Sequence, residues 1–112
     1  MSIMTVSQFA EKYGLSRVSL PDPDKEITGG YVGDLLSWVM GRAQSGDAWI
    51  TIMSNINIAA VAALTDAACV IIAEGVTLGD NIIEVASSKG INILASEKNA
   101  FELAGMLHSE LR

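Results

Sequence analysis

Three kinds of side chain in this sequence could do chemistry: one histidine, one cysteine and a scatter of carboxylates. His108 follows Phe101 by seven residues, so it shares that residue's side of a helix, bordering Ala104 and Leu111. A zinc site needs three or four ligands, and there is no second histidine and no cysteine near it in sequence. His108 therefore reads as a packed or half-exposed helix-end residue, and no metal site is expected. Cys69 lies between Ala68 and Val70 without the basic neighbour or helix start that activates a thiol. It reads as core filler. Asp22, Asp24 and Glu26 surround a proline turn, but the alternating ligands and distal glutamate of a calcium loop are missing. Neither a Gly-Lys-Ser/Thr phosphate loop nor a Gly-x-Gly-x-x-Gly fingerprint is present. The expectation is a chain with no catalytic residue and no cofactor.

Two segments are unusual for packing alone. Thr28-Gly29-Gly30-Tyr31 leads into Asp34, and paired glycines at the end of an extended run permit positive φ and close backbone approach. They equally make an ordinary turn. Ser54-Asn55-Ile56-Asn57 separates an apolar strand from an apolar helix. Ser54 or Asn55 serves as N-cap, which leaves Asn57 unexplained, and free N–H groups at a helix start attract anions. Glu74 follows a strand ending at Ala73, at the edge where open α/β sheets place their sites. The candidate ligand-binding residues are thus Gly29, Gly30, Tyr31, Asp34, Ser54, Asn55, Asn57 and Glu74, in a pocket at the carboxyl ends of the strands.

Certain elements must position these residues. Val6, Phe9, Ala10 and Tyr13 mark one helical face, opened by a Thr5/Gln8 capping box and stopped at Gly14. Val18 to Leu20 is a short strand, and Pro21 to Lys25 is a turn because two prolines bar helix and central strand. Glu26 to Val32 is extended. Asp34 is expected to cap a helix burying Leu35, Leu36, Val39, Met40 and Ala43. Ala48 to Met53 then forms a strand, with Trp49 packed near the sheet edge on the face opposite Ile50 and Trp38 partly exposed on its helix. Ile56 to Leu64 is apolar on almost every side, as helices buried on more than one face are. Ala68 to Ala73 has the unbroken apolar run of a central parallel strand. A helix opened by Asp80, burying Ile82, Ile83 and Ala86, closes at Gly90. The strand Ile91 to Ala95 and the helix Asn99 to Leu111 complete the chain. Strand and helix alternate at about twenty residues per unit from Ala48 onward, which fits βαβ crossovers. The expected fold is a three-layer α/β/α sandwich with a mainly parallel sheet, one domain over residues 1–112.

Composition narrows the partners. Half of the 112 residues are hydrophobic and 18% are charged, with a net charge of −6. Phosphate-backbone binding needs clustered Lys and Arg, whereas the seven basic residues here are scattered singly. No nucleic acid and no membrane surface is expected as a partner. A chain with so little polar surface points to a homo-oligomer. One cysteine excludes an internal disulfide, and Met1-Ser2-Ile3-Met4 lacks the charged n-region of an export signal. The expected compartment is the cytoplasm.

The run Glu26-Ile27-Thr28-Gly29-Gly30-Tyr31-Val32-Gly33-Asp34-Leu35-Leu36-Ser37 resembles the signature of the DRTGG domain family. Gly46-Asp47-Ala48-Trp49-Ile50-Thr51, followed by Asn55 to Ala62, is similar to the family's second block. Glu26-Ile27 stands where the name-giving Asp-Arg would be. The resemblance extends to stand-alone members encoded near iron-only hydrogenase genes, to the N-terminal domain of HPr kinase/phosphorylase, and to a middle domain of some phosphotransacetylases. It implies an α/β/α accessory or regulatory module that does no chemistry itself. On this reading the chain binds a small metabolite or a partner enzyme, with a link to hydrogenase or energy metabolism. Two alternatives remain at this stage: an enzyme whose site is completed across a subunit interface, with Asp34 or Glu74 as acid/base, and a purely structural dimerisation unit.

Overall fold

The computed structural model describes residues 4–111. In chain order the elements are β1 (Met4–Thr5), α1 (Val6–Tyr13), β2 (Ser16–Ser19), β3 (Glu26–Ile27), β4 (Gly29–Val32), α2 (Leu36–Arg42), β5 (Asp47–Thr51), α3 (Ile58–Thr65), β6 (Cys69–Ile72), α4 (Asp80–Ser88), β7 (Ile93–Ala95) and α5 (Ala100–Leu111). The main sheet has the order β2-β7-β6-β5-β4. β4, β5, β6 and β7 run parallel, and β2 pairs antiparallel with β7. The sheet is therefore mixed, with one antiparallel edge on an otherwise parallel core. β1 and β3 form a separate antiparallel ladder.

The layering follows from the order of addition. Strands β4 to β7 are laid down one beside the next in a single direction. Crossovers of one hand then place α2, α3 and α4 on the same face. The other face is left to α1 and α5. Strand alternation sorts the side chains accordingly. Ala48, Ile50, Cys69 and Ile71 pack with Phe9, Leu103 and Leu107 on one face. Trp49, Val70 and Ile72 pack with Val39, Ile58, Ala62 and Ile82 on the other. The three-layer α/β/α arrangement expected from the sequence is what the chain adopts.

Helix α1 has its Thr5/Gln8 capping box and a left-handed Gly14 at its end, as its sequence dictates. Its last turn is tied to α5 by Lys12, whose ammonium lies 2.8 Å from the Glu110 carboxylate, and by the Tyr13 hydroxyl, which donates to the same carboxylate. Hydrogen bonding to Lys12 and Tyr13 holds the Glu110 carboxyl below its ordinary range. Cys69 is fully buried, and burial pushes its thiol up to about 12. An unreactive thiol in the core is the outcome the sequence pattern indicates.

Two helices differ from expectation. Helix α2 begins at Leu36 with Leu35 in the cap position and no side-chain cap, so Asp34 is not its N-cap. Only Val39 of α2 is fully buried, while Leu35 and Met40 are 57% and 45% exposed. The helix is the outermost of its layer, with a neighbour on one side only. Helix α3 begins at Ile58, not Ile56, and neither Ser54 nor Asn55 is its cap. It buries Ile58, Ala59, Val61 and Ala62, yet Leu64 is 71% exposed. It is thus covered on one side, and its all-round apolar composition leaves an uncovered face.

The two tryptophans fall on opposite sides of this division. Trp49 has no exposed surface and its indole Nε1 donates to the Gly33 carbonyl at 2.8 Å. Trp38 is 52% exposed, with the Arg42 guanidinium over its ring at 3.7 Å. In single-tryptophan variants, iodide is expected to quench Trp38 strongly and Trp49 hardly at all. Equal quenching of the two would contradict this packing.

Candidate functional site

Because β4 to β7 are parallel, their carboxyl ends and the loops that follow lie along one edge of the sheet. Asp34, after β4, directs its carboxylate to the end of β5. Its Oδ1 accepts from the Thr51 hydroxyl at 2.7 Å and from the Ile52 N–H at 3.0 Å. The Thr51 hydroxyl in turn accepts from the Met53 N–H at 3.1 Å. Asp34 thus clasps two neighbouring loops together. Removing the acceptor leaves these donors unpaired, so Asp34→Ala is expected to lower stability by about 1–3 kcal/mol. Asp34→Asn keeps an oxygen at the same place and is expected to cost less than about 1 kcal/mol. Urea denaturation of both variants checks this; equal losses would argue that the charge, not the acceptor, matters.

Next to Asp34 is the turn before α3. The Asn55 side-chain oxygen accepts from the Asn57 N–H at 2.7 Å, and the Asn55 carbonyl accepts from the Ile58 N–H. This turn replaces the N-cap expected from the sequence. Asn57 occupies the cap position with helical backbone angles and no side-chain bond to the helix. Ser54, Asn55 and Asn57 are all exposed. Glu74 lies one strand further along, exposed and in the left-handed region with φ 63°. Its N–H donates to the Lys98 carbonyl, and that of Gly75 to the Ser96 carbonyl, strapping the loop after β6 to the loop after β7. Asp34, Ser54, Asn55 and Asn57 are therefore gathered around the ends of β4 and β5, with Glu74 beyond them at the end of β6.

The glycines are elsewhere. Gly29 pairs with Asp47 and Gly30 with Ala48, at the amino end of the sheet. Neither has positive φ, so the turn expected there does not occur; both are within a strand. The missing side chains make room for packing. A Cβ on Gly29 would come within 2.5 Å of the Asp47 carboxylate, and one on Gly30 within 2.5 Å of the Leu107 side chain. Tyr31 is half-buried on the opposite face, against the cluster that contains Trp49. The expected pocket residues are accordingly split between two ends of one strand.

Three helices start at the carboxyl edge, and none has a side-chain cap: α2 after Leu35, α3 after Asn57 and α4 after Gly79. Helix starts without caps leave N–H groups available to an anion. Helix α5 starts at the same edge but is closed by Asn99, whose side chain accepts from the Glu102 N–H at 2.9 Å.

A second concavity lies on the α1/α5 face. It is an open groove of about 440 Å³ between β4 and α5, lined by Gly30, Val32, Phe101, Ala104, Gly105 and His108 among others. Its volume is in the range of small-molecule sites. His108 is exposed on its wall. The spacing of His108 from Phe101 predicts their shared helical side, but that side is exposed rather than packed. Ala104-Gly105, small residues one turn after Phe101, are the signal that this face of α5 is open.

The DRTGG domain family matches residues 34–109 of the chain. The match begins at Asp34, so the Thr28-Gly29-Gly30 run lies outside it and the later blocks carry it. Among curated proteins, none matches the sequence. A solved structure of the CBS and DRTGG domains of the regulatory region of Clostridium perfringens pyrophosphatase, complexed with the activator diadenosine tetraphosphate, is similar over 88% of this chain, with a TM-score of 0.73 and 17% identity. The chain spans 44% of the length of that structure. At this identity the likeness speaks for the fold.

Proposed function

Because the chain belongs to the DRTGG domain family, we propose that it is a non-catalytic regulatory or accessory module, one unit over residues 1–112, that binds an anionic small metabolite at the carboxyl edge of its sheet. The observation that carries this reading is the convergence of uncapped helix starts on that edge, that of α3 above all, since α4 has Asp80 in its first turn. Exposed Ser54, Asn55 and Asn57 stand beside the first, with Asp34 holding the neighbouring loop and Glu74 at the next strand. Gly29, Gly30 and Tyr31 support the site from below by setting how closely β4 packs on α5 and β5. Nucleotides are the class to try first, since the regulatory region, of whose length this chain matches 44%, is complexed with diadenosine tetraphosphate. A net charge of −6 favours a mono-anion or nucleotide fragment over a triphosphate. A partner enzyme receives the signal on this reading, in the cytoplasm, and the resemblance to stand-alone domains encoded beside iron-only hydrogenase genes supports one from hydrogenase or energy metabolism.

Thermal-shift titration with AMP, ADP, ATP and diadenosine tetraphosphate tests the site. Ligand at a hundredfold excess over its Kd adds about 2.7 kcal/mol to stability, which raises the Tm by several degrees. Asn57→Ala is expected to reduce that shift. No shift with any of the four at millimolar concentration, or a shift unaltered by Asn57→Ala and Ser54→Ala, removes this reading.

A further inference from the structure

Both helix layers stop at β4. Helix α5 packs on β4 and β5 on one face, and α2 lies beyond α3 on the other. Among the described residues β4 pairs with β5 alone, which leaves its outer edge open. The two edges of the sheet are treated differently. β2 carries Arg17, has a register irregularity between Arg17 and Ser19, and leads into Pro21 and Pro23. Charge, irregularity and proline are the usual defences against edge-to-edge pairing. β4 is Gly-Gly-Tyr-Val, paired regularly with β5 at all of its positions, with neither charge nor proline.

The groove continues from that undefended edge. Phe101 is 86% exposed at one end of it and Val32 is 51% exposed on the edge strand. Between them the wall is low at Gly30, Ala104 and Gly105, while Leu107, His108 and Leu111 complete the lining. The same surface thus carries an aromatic knob and a hole with a low wall. A chain with a charge of −6 repels its own copy, so a surface for self-association has to be uncharged. Among the described residues, none that lines the groove is Asp, Glu, Lys or Arg.

We infer that the β4 edge and the α5 groove form a symmetric interface between two copies of this chain. The two β4 strands pair antiparallel about a two-fold axis perpendicular to the sheet, joining both five-stranded sheets into one. That axis keeps the two α5 helices on the same face, where Phe101 of each protomer enters the groove of its partner. Such an isologous contact closes at two subunits. A standard interface takes roughly 800 Å² from each partner. Phe101 and Val32 are each more than half exposed and offer on the order of 250 Å² of that; the open backbone of β4 and the groove wall supply the remainder.

Light scattering and sedimentation of the 112-residue chain at micromolar concentration decide the matter. The expected result is twice the monomer mass. Phe101→Glu and Val32→Lys are each expected to weaken dimerisation by about 30-fold or more, as loss of a central anchor does, with the circular dichroism of the fold unchanged. Leu64→Glu places the same charge on the exposed face of α3 and is expected to leave the dimer intact. A wild-type monomer at high micromolar concentration would overturn the inference, whatever else then fills the groove. So would a dimer that survives both Phe101→Glu and Val32→Lys, or one that Leu64→Glu alone dissociates.

Discussion

Trp49→Ala is expected to lower the stability of the fold by about 3–5 kcal/mol, a large part of the roughly 5–15 kcal/mol that domains possess. Trp49 has no exposed surface and stands on β5 between β4 and β6, within the cluster formed by Val39, Ile58, Val70 and Tyr31. Truncation removes its burial energy and leaves a cavity bounded by a sheet and two helices, which cannot all relax into it. It also frees the Gly33 carbonyl, which accepts from the indole at 2.8 Å. Trp49→Phe separates these contributions, since it keeps most of the ring volume and deletes the hydrogen bond. A loss of about 1.5 kcal/mol is expected for that variant. Chemical denaturation of both provides the measurement. A loss below about 1 kcal/mol for Trp49→Ala would show that the α2/α3 layer is not packed on β5 as described.

Asn92→Ala is expected to cost about 2–3 kcal/mol, because three hydrogen bonds, one buried and two part-buried, depend on this one side chain. Its Nδ2 donates to the Asp22 carbonyl at 2.7 Å and to the Ala68 carbonyl at 3.1 Å, and its Oδ1 accepts from the Asp22 N–H at 3.0 Å. Asn92 is 1% exposed. It therefore fixes the proline turn after β2 to the strand start at Ala68, and the turn's position depends on it. Asn92→Asp has the same shape but points a carboxylate oxygen at two carbonyls. It is expected to be at least as damaging as alanine at neutral pH, and less so in acid where the carboxyl is protonated and can donate. Melting curves at both pH values read the difference. An aspartate variant as stable as the wild type at neutral pH would mean that the two donated bonds do not hold the turn.

Neither Asn92 nor the role of Asp34 was legible in the sequence. Asparagine between Ile91 and Ile93 shows only that a polar group interrupts an apolar run; its partners, Asp22 and Ala68, are 70 and 24 residues away in the chain. Asp34 at a loop-to-helix junction has the pattern of an N-cap, and its local sequence contains no hint of Thr51. Cap energies are about 1 kcal/mol, so two competing bonds from a neighbouring strand are enough to draw the carboxylate away. Asn55 and Asn57 repeat the lesson. The sequence marks a polar helix start, but the tertiary path of the loop settles that Asn55 makes the turn and Asn57 is left free.

What the sequence determined by itself is the helices, the core strands and the class of fold; the β1–β3 ladder, and the division of the Glu26 to Val32 run between two sheets, are tertiary. Apolar periodicity is a local property, so the α1 face, the buried run of β6 and the alternation of Trp49 with Ile50 read directly into the two cores. The capping box at Thr5 and the left-handed Gly14 are equally local, and both occur where the pattern places them. The tertiary structure decided what depends on neighbours distant in sequence. It made β2 the antiparallel edge and β4 the open one, because the direction in which strands are added cannot be read from spacing alone. It put Gly29-Gly30 at the amino end of the sheet, where their missing side chains admit Asp47 and Leu107, rather than in a turn beside the site. It also left one side of α3 and one side of α5 uncovered, since an apolar composition states how much surface wants burial but not which chain will bury it.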